Sequence, residues 1–469
     1  MTRLAWTFLR STGWPRAALL AGTTALATAL VLVALTMLLL PSQPAEALFS
    51  LVAQPGLRWG TAFATVLLAL PLLLMLNQVV RLGTATRERR LAALRLAGAT
   101  PAEVRRLGAI EVGFPVTVGA MSGPLVFALL REPFGGQRLA GPSGGSSIDM
   151  GSAPALIPTS VTPAWWQIGA VVAAVAAAGI ATGALASRHL IVSPLGVSRR
   201  AQPPAPRPWG LLLVGTGVVA LVAVGLRAFA VSGPRQAVVM VGILLVVLGV
   251  IALAPWVAFR SGQRAARRTS DPATLIAAGH LVSDPGPAGR AAAAVGAIGI
   301  VSGTTAVLEL GGVFQGPSGP FGNPFVVISY ALVGVALILV LLVTASTLAV
   351  HAAESILDRR RVLAALVAAG TPVSVLGDSL RREAMLTSMP LSVGGVLLGA
   401  VVTGGIGAVS GQPGITFQQG GWTLVVPALF LCAQLILTVG LTWVAIRIAI
   451  RAVEHRLVLA TAPDNLRTE

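Results

Sequence analysis

Residues 87–111 read RERRLAALRLAGATPAEVRRLGAIE. The segment lies between two apolar runs, 60–82 and 109–130, each about the 20 residues needed to cross a hydrocarbon layer about 30 Å thick. Leu91 and Leu94, then Val104 and Leu107, recur at helical spacing, while Arg87, Glu88, Arg89, Arg90 and Arg95 take other faces. That is the pattern of an amphipathic helix lying along a membrane surface. Gly98 is placed to close the first helix in a left-handed conformation. Thr100-Pro101-Ala102-Glu103 then has the form of a capping box, with Thr as N-cap, Pro in the first turn and Glu reaching back. The stretch therefore predicts a helix, a sharp turn, and a second helix that climbs into the next span.

The chain around it is apolar throughout: 469 residues, 55% hydrophobic, 10% charged, mean hydropathy +0.85. Apolar runs at 17–40, 60–82, 109–130, 165–187, 209–230, 237–259, 291–312, 325–349, 384–409 and 422–446 predict an all-α polytopic membrane protein with about ten transmembrane helices. The first run is longer than the roughly 7–15 apolar residues of a signal peptide and is read as a retained span.

All 33 basic residues are Arg, with no Lys. A P-loop needs its Lys to reach the β and γ phosphates, so no standard Walker ATPase site is present. With both termini cytoplasmic, 28 of the 33 Arg fall inside and only Arg58, Arg131, Arg138, Arg227 and Arg235 fall outside or at the outer edge. This asymmetry matches the positive-inside rule. The net charge of +17 is then a cytoplasmic face beside anionic membrane lipid, with no soluble basic domain to hold nucleic acid.

Catalytic and metal chemistry find no support. Cys432 is the sole cysteine, which excludes an internal disulfide and a Cys-based zinc site. Gly141-Pro142-Ser143-Gly144-Gly145 matches the nucleophile-elbow string and Gly316-Pro317-Ser318-Gly319 a shorter one. A nucleophilic Ser needs a base within hydrogen-bond reach, and His189, His280, His351 and His455 all fall on the opposite side of the membrane. No catalytic residue and no metal ligand set is assigned.

The opening pattern returns. Adding 272 lays Leu91-Ala92-Ala93-Leu94 on Leu363-Ala364-Ala365-Leu366, Gly98 on Gly370 and Glu111 on Glu383, while Thr100-Pro101 meets Thr371-Pro372 after a slip of one residue. Each copy follows one apolar span and leads into another. The chain divides into a first repeat at 1–190 (spans 1–4), a linker with central spans 5 and 6 at 191–265, and a second repeat at 266–469 (spans 7–10). The outer loops are short, and Arg131 to Ala164, with its GPSGGSS stretch, is expected to hold little packed structure. Topology alone requires charge and no particular turn, so the repeated Gly and Thr-Pro favour a docking role for the elbow.

The residues Arg89-Arg90-Leu91, Leu94-Arg95, Gly98-Ala99-Thr100 and Glu111, with Arg360-Arg361, Leu363, Leu366, Gly370, Thr371 and Glu383 in the second half, resemble the FtsX-like permease domain of type VII ABC transporters. The ten-span double repeat resembles the permeases of bacitracin-resistance transporters, without their large extracellular domain. The resemblance implies a non-catalytic permease subunit in a bacterial plasma membrane. It further implies two separate cytoplasmic ABC ATPases per chain, carrying ATP and Mg, and an amphiphilic substrate such as an antimicrobial peptide, drug or lipid. ATPase docking then falls to Arg87, Glu88, Arg89, Arg90, Leu91, Leu94, Gly98, Thr100 and Pro101, and to Glu354, Arg359, Arg360, Arg361, Leu363, Leu366, Gly370, Thr371 and Pro372.

Charges near or within spans are expensive unless paired or functional. Glu111, Glu383, Glu309 and Arg227 are accordingly candidates for coupling or substrate contact, against a simple salt bridge. Gly119-x-x-x-Gly123 and Gly395-x-x-x-Gly399 would permit close helix contact in spans 3 and 9. An ion-coupled secondary transporter, or a membrane scaffold or signalling subunit without transport, is the alternative.

Overall fold

In hydrocarbon every backbone N–H and C=O must be satisfied internally, which for long apolar runs means helix. The computed structural model describes residues 14–42, 48–81, 98, 100–135, 155–188, 205–226, 232–315, 324–410 and 425–462, and among them the regular elements are all helices. In chain order these are α1 (Trp14–Leu39), α2 (Ser50–Ala53), α3 (Pro55–Arg81), α4 (Pro101–Phe134), α5 (Trp165–Arg188), α6 (Trp209–Gly225) and α7 (Ser232–Arg268). There follow α8 (Pro272–Ser283), α9 (Pro285–Gln315), α10 (Pro324–Asp358), α11 (Arg360–Ala368), α12 (Val373–Ser410), α13 (Val425–Arg451) and α14 (Glu454–Ala460).

Among the described residues, eight helices have the length and composition to cross a membrane: α1, α3, α4, α7, α9, α10, α12 and α13. The fourth and fifth expected spans correspond to α5 and α6, Trp165–Arg188 and Trp209–Gly225.

The chain forms two compact units, Met1–Ser198 and Arg199–Glu469. In the first, α1 is central and packs on α3, α4 and α5, while α5 also packs on α3 and α4. In the second, α9 is central and packs on α10, α12 and α13, while α13 also packs on α10 and α12. The first, second, third and fourth helices of each unit's bundle thus make the same pairings. The second unit adds α6 and α7, a hairpin in which α7 lies along α9 and α12. By packing, these central helices are part of the second unit.

α1 crosses α4 closely, as α9 does α12, and glycine makes both crossings possible. A Cβ on Gly119 would collide with Thr24 Oγ1 and the Ala21 carbonyl, and one on Gly123 with Thr28. In the second unit, Gly299 and Gly303 face the Ser392 and Val396 carbonyls, while Gly395 and Gly399 face those of Gly296 and Ile300. Between helices in lipid the attraction is mostly van der Waals contact, which demands this backbone proximity.

At the end of the first unit away from the elbow, two arginines organise the connections. Arg58, 5% exposed, donates to the carbonyls of Val52 (2.9 Å), Leu40 (2.7 Å), Pro41 (3.1 Å) and Ala53 (2.9 Å). Arg131 donates to those of Pro158, Thr159 and Val161. Ala155, Ile157, Pro158 and Pro163 are buried, so the last third of the 131–164 connection is packed, contrary to expectation. The carbonyl partners supplied by Arg131 and the apolar contacts of Ile157 and Val161 with the α1 core account for it. The GPSGGSS stretch lies outside the described residues.

Candidate functional site

The second elbow is described in full. Helix α10 ends at Asp358, and Arg359 (φ −104°, ψ 9°) breaks the chain direction before α11. Leu363 and Ala364 on α11 are buried, and Leu363 shares a core with Ile356, Leu376, Ile450, Leu457 and Ala460, against which Leu366 also packs. Arg361, Val362 and Ala365 are exposed. The helix then closes on Gly370, φ 95°, where the Gly370 N–H reaches the Val367 carbonyl and the Thr371 N–H reaches that of Leu366, both at 2.9 Å. These two bonds make a Schellman motif, which satisfies carbonyls the helix end would otherwise leave bare. Pro372 follows, and α12 leaves in a new direction. The apolar positions expected to meet a partner, Leu363 and Leu366, thus hold the elbow to its own unit, while Arg360 and Arg361 sit on its outer part.

In the first elbow the turn and the second arm are described. Gly98 has φ 96°. Thr100 caps α4: its hydroxyl accepts from the Glu103 N–H (3.3 Å), and Glu103 Oε2 accepts from the Thr100 N–H (2.8 Å). Pro101 occupies the first turn, where its missing N–H costs nothing. Arg87, Glu88, Arg89, Arg90, Leu91 and Leu94 lie outside the described residues.

A carboxylate follows each turn, and each is tied. Glu111 Oε1 accepts from Arg16 at 3.1 Å, and the same guanidinium donates to the Val79 (3.1 Å) and Val80 (2.8 Å) carbonyls at the end of α3. One planar fork therefore joins α1, α3 and α4. Glu383, 6% exposed, has three partners: Arg359 Nη1 at 3.4 Å, His280 Nδ1 at 3.4 Å and His351 Nε2 at 3.9 Å. These come from the α10–α11 junction, α8 and α10. A small cavity of about 20 Å³, lined by His351, Ser355, Glu383 and Thr387 among others, adjoins the cluster. That is about the space one water needs.

Helix α8, which supplies His280, is set in place by Asp271. Its carboxylate accepts from the Thr274 hydroxyl (2.6 Å) and N–H (3.0 Å). Those bonds, with Arg382 adding to them, hold the Asp271 carboxyl below its usual range. Arg382 also donates to Thr274 Oγ1 at 3.0 Å, fastening the start of α8 to α12.

Residues 61–195 match a family model described as FtsX-like permease C-terminal, a stretch running from α3 through the first elbow, α4 and α5. Over that stretch the chain is similar to the FtsX-like permease family. No curated protein matches it.

In the described residues the sequence-derived candidates separate by role. Gly98, Thr100, Pro101, Gly370, Thr371 and Pro372 build the turns. Arg359 and Glu383 are brought together across the second elbow, whereas Glu111 meets Arg16. Glu354 lies on α10, partly buried, near the same junction. Arg227 and the side chain of Glu309 lie outside the described residues. Sequence reasoning missed His280 and His351 as partners of Glu383. His351 stands 272 residues after Val79, whose carbonyl binds Arg16 in the first unit, and that offset was the available signal. Within the described residues no group of His, Cys, Asp and Glu has metal-binding geometry.

Proposed function

We propose that this permease is the membrane subunit of an ATP-driven transporter, and that separate cytoplasmic ATPase subunits, carrying ATP and Mg, dock on its two elbows. One observation carries this: a surface helix joined by a left-handed glycine and Thr-Pro to a long membrane helix is a lever, and the second elbow is braced at both ends. A partner pressing on α11 would push on α12 through a turn with little freedom to bend. The Arg asymmetry supports a bacterial plasma membrane location with both elbows on its cytoplasmic side. Short outer connections favour an amphiphilic substrate, such as a peptide, drug or lipid, taken from the membrane itself.

The test is a pull-down of the detergent-solubilised chain from its native membranes, assayed for ATP hydrolysis, beside a variant with Arg89, Arg90, Arg360 and Arg361 changed to Ala. Hydrolysis should accompany the wild type and be lost from the variant. Absence of any ATPase under several mild detergents would overturn the proposal and turn attention to ion-coupled transport.

A further inference from the structure

The second elbow is a closed triangle. Its first side is α11, its second is the start of α12, and they meet at Gly370. The third side is the ion pair from Arg359, where α11 begins, to Glu383 on α12. A hinged pair of rods keeps its angle only while its free ends are tied. Without that tie α11 is held by the packing of Leu363, Ala364, Leu366 and Val367 and by its join to α10.

The tie has more polar groups around it than partners. Both ring nitrogens of His351, the Nδ1 of His280 and the hydroxyl of Ser355 are buried without a hydrogen bond of good geometry, and the water-sized cavity opens beside them. Buried polar atoms that face such a space are ordinarily satisfied by a water or an added proton. Charge points the same way. Helix α12 contributes Glu383, α10 contributes Asp358 and His351, the junction contributes Arg359, and α8 contributes His280 with Asp284 just beyond its end. Helices α9 and α13 present Ala288 and Ile450 to the cavity, and α9 also carries Arg290, whose guanidinium lies by Gly286. Glu383 and Asp358 both lie by the Arg359 guanidinium, and Asp358 also lies by the Asp284 carboxylate, so acidic groups outnumber Arg359 here and an imidazolium adds positive charge where it is short.

We infer that Glu383 is the positioning residue of the second elbow and that it works through one exchangeable proton held with His280 and His351. Binding the proton gives Glu383 a second cationic partner, on α8 or α10, and tightens the triangle. Losing it leaves Arg359 alone. Histidine is the side chain suited to such an exchange near neutral pH. Glu111 in the first unit is bound by Arg16, a cation that does not titrate in this range.

The inference rests on α11 being the element that moves during coupling, but it is tested with no ATPase present. The full chain, carrying Cys432→Ser and a spin label on Val362→Cys, is placed in nanodiscs and its label mobility followed by electron paramagnetic resonance. Val362 is 57% exposed on α11 and takes a label without disturbing the core. Mobility should fall as the pH is lowered from about 8.5 to about 6, following a single-proton curve. The curve should be flat and mobile in Glu383→Gln, retained with a shifted midpoint in Glu383→Asp, and flat in His280→Gln/His351→Gln. A wild-type curve in the double histidine variant, or wild-type mobility in both Glu383→Gln and Arg359→Gln, overturns it. A docking failure in the pull-down leaves this readout unchanged, so the two ideas fail separately.

Discussion

Gly98 and Gly370 lie 272 residues apart and hold the same left-handed backbone, at φ 96° and 95°. Each stands one or two residues before a Thr-Pro pair that starts a long membrane helix. At neither glycine would a Cβ meet any atom within 4 Å, so what glycine provides there is conformational freedom and not space.

Gly98→Ala and Gly370→Ala should therefore each destabilise the protein by about 1 kcal/mol through backbone strain. Asn, which tolerates this conformation better, should lose less. Thermal unfolding of the purified variants in detergent reads the order Gly, Asn, Ala; an Ala variant as stable as wild type would show that the turn relaxes freely.

At the α9–α12 crossing the requirement is space. Gly399→Leu drives a side chain into the Ile300 carbonyl and should lose roughly 3 kcal/mol or fail to assemble. Gly404→Ala, five residues along the same helix with nothing near its Cβ, should be neutral or slightly stabilising. Monodispersity and melting temperature of the two variants separate these cases.

Arg58 makes four bonds to backbone carbonyls, which an ammonium cannot reproduce because it lacks the planar fork. Arg58→Ala should lose roughly 3 kcal/mol, and Arg58→Lys should recover less than half of that. Comparing thermal unfolding of the two against wild type checks it.

Asp271 carries a pH dependence of defined sign. Its folded-state carboxyl is held below the ordinary range by Thr274, so its capping of α8 is fully present above that range and is lost as pH falls through the lowered folded value. Hydrogen exchange at the first turn of α8 should quicken on acidification in the wild type. Asp271→Asn, which caps without titrating, should remove that dependence, and Asp271→Ala should exchange fast at every pH.

The helical spans, the capped turn and its second copy were all legible in the chain, because each depends on neighbours within a turn or two. Thr100 and Glu103 are three residues apart, and the N–H groups of Gly370 and Thr371 reach carbonyls three and five residues behind them. The glycine pairs at 119 and 123 and at 395 and 399 were visible as spacing, although spacing alone gave no partner helix.

What the sequence determined by itself was the class of fold and the place of the elbows, since hydrophobic length and local hydrogen bonding need no distant residue. Tertiary structure decided what Glu111 and Glu383 touch. Arg16 is 95 residues from Glu111, and His280 is 103 from Glu383. Both pairings follow from how α1, α3, α8, α10 and α12 pack, and packing between helices in lipid is governed by shape and not by any pattern along one chain. It also turned Leu363 and Leu366 inward, because a helix shows its partner only one face and the C-terminal helix α14 lay on that side.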